Sequence, residues 1–160
     1  MSRAKLKAVE SFEITNQQKV KRINIINAFI LLKGIFLFLN MPEASVSVVF
    51  CDNKFIRRLN RKFFKRANAT DVISFPLKDK TFPEYLGEVV VSVEEAVKAA
   101  ELYKNTWQKE LALYLIHGVL HTLGYNDIKK KERALMEKMQ ERILSKILKK
   151  HKKAVEALGN

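Results

Sequence analysis

The stretch HGVLHTLGYND, His117 to Asp127, sets two histidines four residues apart, then a glycine, then an aspartate. The residues before it, NTWQKELALYLI, place Leu111, Tyr114 and Leu115 at helical spacing with Val119 beyond them, so a helix is predicted over 107–123. Its start is expected at Asn105, with Gln108 completing a capping box, and Gly124 lies just past its end. Residues four apart are offset by one helical turn plus about 40°, so His117 and His121 project from one face. A helix offers two imidazole nitrogens to one zinc ion in this way. Gly124 lets the chain turn back, and Asp127 can then bring an oxygen to the same point. Three protein ligands with an open fourth position is the arrangement of a catalytic zinc rather than a structural one.

Two other readings compete with this one. A histidine pair at this spacing recurs by chance, and Asp127 has a rival task as the cap of the following helix, for which Asn126 also competes. The full H-x3-H-x2-G-x2-D pattern favours one Zn2+ per chain, held by His117, His121 and Asp127. His151, within KKHKK, reads as a solvated surface residue. Position 118 is glycine, where H-E-x-x-H peptidases carry the glutamate that takes a proton from zinc-bound water. Peptide hydrolysis by that route is therefore disfavoured. A metal-bound water can still attack a phosphodiester, and no protein side chain is assigned as its base.

The charge balance favours such a substrate. Thirty basic side chains face seventeen acidic ones in 160 residues, a formal net charge of +13, which suits polyanionic partners: nucleic acid or an anionic membrane surface. Seven basic residues and no acidic one lie between Lys54 and Arg66, and eleven basic against four acidic between Ile128 and Asn160. Alone, these runs read as a solvated helix face and a frayed, truncation-tolerant tail over about 146–160. Beside a phosphodiester-cleaving centre they read as a groove that tracks a nucleic-acid backbone. Phe63, Phe64, Tyr85 and Tyr125 are the candidates for base stacking, with most of them expected in the core.

Cys51 is the single cysteine, within VSVVFC, so it is expected to be a buried thiol with neither a disulfide nor a thiolate metal site. The start, MSRAKLKAVE, has basic residues without an apolar h-region, so a signal peptide is not expected and cytoplasm is the default compartment. Ile23 to Met41 is nineteen residues long but holds Asn24, Asn27, Lys33 and Gly34, so it reads as a buried helix with Ile23, Ile26, Ile30 and Leu37 on its stripe, not a membrane span.

No repeat or Pro/Gly-rich hinge divides the chain, so residues 1–160 are expected to form one domain. Helices are predicted at about 16–39, through NKFIRRLNRKFF and EEAVKAAELY, and from about Ile128 onward. Strands are predicted at 45–50, 70–77 and 87–93. This order gives an α+β fold with one small mixed sheet packed with helices.

HGVLHTLGYND resembles the H-G-x-L-H-x-x-G-Y-D-H signature of the YbeY endoribonuclease family. LNRKFFKRANATDVISFPL and LGEVVVSVEEA resemble two further segments of that family, in the expected order, together spanning about residues 46–145. The resemblance implies a zincin-like metal helix and a metal-dependent, single-strand-preferring endoribonuclease of bacterial cytoplasm. It also implies a role in ribosomal RNA maturation and ribosome quality control, with ribosomal RNA and ribosomal subunits as partners. Two positions depart from the family. Asp127 stands where its third ligand is usually histidine, and Phe64 where it tends to have arginine, so contact with substrate phosphate is expected from Arg61, Lys65 or Arg66. Two alternatives stay open: a non-catalytic RNA- or ribosome-binding factor with a structural metal, and a metallopeptidase.

Overall fold

The computed structural model describes residues 12–160; the reading of MSRAKLKAVE lies outside them. Four strands, β1 (Phe12–Asn16), β2 (Ser45–Cys51), β3 (Val72–Pro76) and β4 (Tyr85–Ser92), form one sheet in the order β1-β2-β4-β3. The β1–β2 and β2–β4 pairs are parallel and β3–β4 is antiparallel, so the sheet is mixed and the domain α+β, as expected. The helices are α1 (Ile25–Phe38), α2 (Asn53–Phe64), α3 (Val93–Leu102), α4 (Trp107–Thr122), α5 (Lys130–Lys150) and α6 (Lys152–Glu156), followed by a 3-10 turn at Ala157–Gly159.

Alternation along the strands sorts the sheet into two faces. Val46, Val48 and Phe50 of β2 and Val89 and Val91 of β4 join the main core with Leu32, Phe36, Leu115 and Val119. Cys51, Ile73 and Val90 face the other way and form a smaller cluster with Ile56 of α2. Helix α2 and helix α4 thus lie on opposite faces, and β3 is the edge strand between them.

Four sequence expectations need correction. The helix expected over 16–39 is shorter, because Asn16 closes β1 and residues 17–24 are not helical. Phe12 and Ile14 alternate with polar residues and pair with β2 as an edge strand, and α1 begins only at Ile25, where the Asn24 side chain accepts from the Asn27 N–H. The buried stripe of α1 is Ala28, Leu31, Leu32, Ile35 and Phe36, whereas Ile26 and Leu37 are 72% and 59% exposed. The i, i+3, i+4, i+7 pattern has two possible phases in so apolar a helix, and packing against α5, α6 and the sheet selects one. Helix α4 is capped by Thr106, whose hydroxyl accepts from the Lys109 N–H; Asn105 instead receives the Thr106 N–H and donates to Glu110.

The fourth correction concerns the tail. Ala154, Val155 and Leu158 are buried, Asn24 N–H donates to Leu158 O, and the Asn24 and Asn27 side chains donate to Asn160 O and Ala157 O. The last turns are stitched onto the start of α1 because three apolar side chains interrupt the lysines. Among the described residues, no helix is long and apolar enough to cross a membrane.

Candidate metal centre

Helix α4 ends in a Schellman turn. Gly124 N–H donates to His121 O and Tyr125 N–H to Leu120 O, both at 3.1 Å, with Gly124 at φ +93°. That left-handed residue turns the chain back over the last turn of α4. It carries Asp127 to 3.6 Å from the Nε2 atoms of both His117 and His121. The three donor atoms lie within 4.8 Å of one another, a group that could hold a metal ion. The capping rival for Asp127 falls away: α5 is preceded by Lys129 without a side-chain cap, and Asn126 Oδ1 receives the Asp127 N–H.

The donor chemistry of the group fits a cation. His121 Nδ1 lies 3.0 Å from Tyr125 O, a carbonyl that only accepts, so Nδ1 carries the proton. His117 Nδ1 donates to Gln140 Oε1 of α5 at 2.7 Å. With Nδ1 so committed, each neutral ring presents Nε2 as an acceptor, and the two Nε2 atoms face each other at 2.9 Å. Two lone pairs and a carboxylate converging on one point repel unless a positive ion joins them. A shared proton satisfies two of these donors, and a metal ion satisfies all three. Nitrogens on one tetrahedral zinc sit roughly 3.3 Å apart, so only a small adjustment separates the observed pair from ligation. Burial, then the neighbouring His117, pushes His121 below the ordinary imidazole range, in the neutral form a metal takes. The Asp127 side chain is 43% exposed, so the group opens to solvent on its side.

Gly118 has a task invisible in the sequence. A Cβ there would lie 2.3 Å from Val89 Cγ1 and 2.9 Å from Val72 Cγ2, and the Gly118 carbonyl accepts from Ser74 Oγ at 2.8 Å. The helix is pressed onto β3 and β4 at this turn. A glutamate at 118 has no room, so the H-E-x-x-H arrangement is sterically closed as well as chemically absent.

Arg61 of α2, and Lys65 and Arg66 in the turn after it, are exposed. The structure does not bring them into contact with the histidines and Asp127. Lys65 adopts a left-handed φ of 54° and Arg66 N–H donates to Asn60 O, while the buried Asn60 side chain donates to Asn68 O. The chain is thereby folded back toward Asp71 at the head of β3, whose charge acts on both His121 and Tyr114. Asn60, Asp71, Gln140 and the Tyr125 carbonyl were not singled out in the sequence. Gln140 is one polar residue on a helix rich in them, and a backbone acceptor leaves no trace in residue type. His151 is half-buried: a Cβ on Gly34 would lie 3.0 Å from its ring, so it is seated against α1 rather than fully solvated.

Comparison with known proteins gives a consistent family. The model of the family described as Endoribonuclease YbeY matches residues 11–148. A protein named Endoribonuclease YbeY from Carboxydothermus hydrogenoformans is 37% identical over 135 residues, 83% of this chain and 94% of its own length. One of the same name from Alkaliphilus metalliredigens is 35% identical over 147 residues, 86% of this chain and 95% of its own. A solution structure of a Thermotoga maritima protein shares the fold with a TM-score of 0.65 and 23% identity, covering 89% of this chain and 92% of that one.

Proposed function

The chain belongs to the YbeY endoribonuclease family, and from that premise we propose that it is a zinc-dependent endoribonuclease preferring single-stranded RNA. The observation that carries the metal is the convergence of two Nε2 atoms and one carboxylate, with both Nδ1 atoms already engaged by oxygen acceptors. His117, His121 and Asp127 would hold one ion per chain. Bound there, a zinc ion would supply Lewis acidity toward a phosphoryl oxygen and would make water nucleophilic near neutral pH. Gln140 and the Tyr125 carbonyl fix the two imidazole planes, and the exposed side at Asp127 admits the substrate. No protein side chain is assigned as the base.

Arg61, Lys65 and Arg66 contribute backbone-tracking charge. They supply affinity without reading sequence. Family membership supports ribosomal RNA as substrate, ribosomal subunits as partners, a place in ribosomal RNA maturation and quality control, and a cytoplasmic site of action. The whole of residues 1–160 serves as one catalytic domain.

The deciding experiment measures bound metal and RNA cleavage on a single zinc-reconstituted preparation, beside His121→Ala. About one zinc per chain, with cleavage lost on chelation and in the variant, is the expected result. Asp127→Ala should weaken zinc binding more than Asn126→Ala. No bound zinc sinks the metal assignment, whereas bound zinc and bound RNA without cleavage favours a non-catalytic binding factor.

A further inference from the structure

Two large rings at the end of α2 stay half in water. Phe63 is 52% and Phe64 47% exposed, side by side, with their inner faces against Phe75 of β3. The Phe63–Phe75 centroids are 5.0 Å apart at 67°, and the Phe64–Phe75 pair is 6.2 Å apart at 27°. Each ring covers Phe75 with one side and leaves about half its surface outward, available to a further flat group. Adjacent exposed rings of this kind mark a contact surface. Their neighbours name its partner. Lys62 Nζ stands 5.3 Å from the Phe63 ring centre, and Arg61, Lys65 and Arg66 are exposed within three residues of Phe64. The acid across the ladder from Phe75 is Glu88, and it is half-buried. An apolar surface bordered by cations suits a polyanion that also carries flat apolar groups, which describes unpaired nucleotides.

We infer that Phe63, Phe64 and Phe75 form a stacking platform for unpaired bases of an RNA strand that crosses the edge strand β3 toward the metal centre. This rests on the endoribonuclease reading and deepens it, since stacking selects single strands without selecting sequence. The geometry of β3 supplies the continuity. Phe75 faces α2, whereas its neighbour Ser74 points to the opposite face and donates to Gly118 O, one residue from His117. Platform and metal group are thus reached from adjacent residues of one five-residue edge strand.

The test compares two RNA strands of roughly ten nucleotides, identical in phosphate charge, one of which has abasic sites at its central positions. Binding is measured with chelator present so that neither strand is cut. The full strand should bind roughly 5- to 100-fold more tightly per stacked base. Phe63→Leu and Phe64→Leu should remove most of that difference while leaving the dependence of log affinity on log salt unchanged. Arg61→Ala should instead weaken both strands alike and flatten that dependence by roughly 0.7. Equal binding of the two strands by the unsubstituted protein overturns the platform without relying on any variant. If zinc-loaded protein still cuts RNA in that case, the platform alone falls. If neither strand binds and no RNA is cut, the endoribonuclease reading falls with it.

Discussion

Substituting Gly118 by alanine adds one methyl group at the point where α4 touches the sheet. Helix propensity alone favours the change by about 1 kcal/mol. Packing opposes it. The new Cβ would lie 2.3 Å from Val89 Cγ1 and 2.9 Å from Val72 Cγ2, both far inside contact distance. Both partners are β-branched and cannot swing aside cheaply, and Val89 is fully buried. Overpacking of this kind costs about 1–3 kcal/mol, and two simultaneous clashes place it near the upper end. The net expectation is a loss of about 1–2 kcal/mol, which lowers the melting temperature by roughly 2–8 °C in a domain of this size. Because α4 carries His117 and His121 while Asp127 sits on the following turn, displacement of the helix should also weaken zinc binding. Val89→Ala removes the nearer obstacle, so Gly118→Ala in that background should cost at least 1 kcal/mol less than in the parent. Urea unfolding and zinc titration of the four proteins read both effects. A Gly118→Ala protein as stable as its parent, or additive effects in the double variant, would refute the close-approach argument.

Three further outcomes follow from the same structure. Gln140→Ala should reduce zinc affinity roughly 10- to 100-fold, because it removes the acceptor that orients His117, while leaving the fold intact by circular dichroism. Deleting residues 151–160 should destabilise the protein by roughly 3 kcal/mol or more in urea unfolding, since Val155 and Leu158 are buried and Asn24 and Asn27 lose their acceptors. Burial, with Asp52 adding to it, pushes the Cys51 thiol from 9.0 up to about 12, so native protein should resist alkylation at pH 9 and react only on unfolding. The raised value also means that this thiol's contribution to stability is complete below pH 9 and is lost as pH rises toward 12, which alkaline unfolding curves can check.

The metal helix was legible because its evidence is local. Two histidines four apart, a glycine at the helix end and an aspartate three residues on are set by helix geometry and turn chemistry, and neither depends on the rest of the chain. The strands 45–50, 70–77 and 87–93 were legible to within two or three residues because alternation and β-branching mark them. The segment Phe12–Asn16 was not, since a five-residue edge strand offers only one alternation before the polar run QQKVKR at 17–22. The phase of α1 was hidden for the opposite reason. Apolar residues surround that helix, so which stripe is inside depends on partners more than a hundred residues away. Gly118 was read for the glutamate it lacks, yet its closest contacts come from Val72 and Val89, which no helical pattern can register.

The sheet also changes what the basic run can mean. In sequence, Lys54–Arg66 shortly precedes the strand expected at 70–77 and reads as a groove beside a phosphodiester-cleaving centre. In the fold, α2 and α4 pack on opposite faces of the sheet. An RNA strand using both must bend over β3. Phosphate attraction alone tolerates that bend poorly as a source of register, because surface cations hold a backbone without fixing its position along the strand. A fixed step is needed between the far face and the scissile bond. Asn60 holds residues 65–68 folded back toward Asp71, and Phe75 and Ser74 present opposite faces of one short strand. Rigid aromatic contacts on the first face and the ion's ligands behind the second would set the distance from the last stacked base to the cut. Moving the platform along β3 should therefore shift the cleavage position on a defined single strand, whereas removing surface lysines should change the rate and leave the position alone.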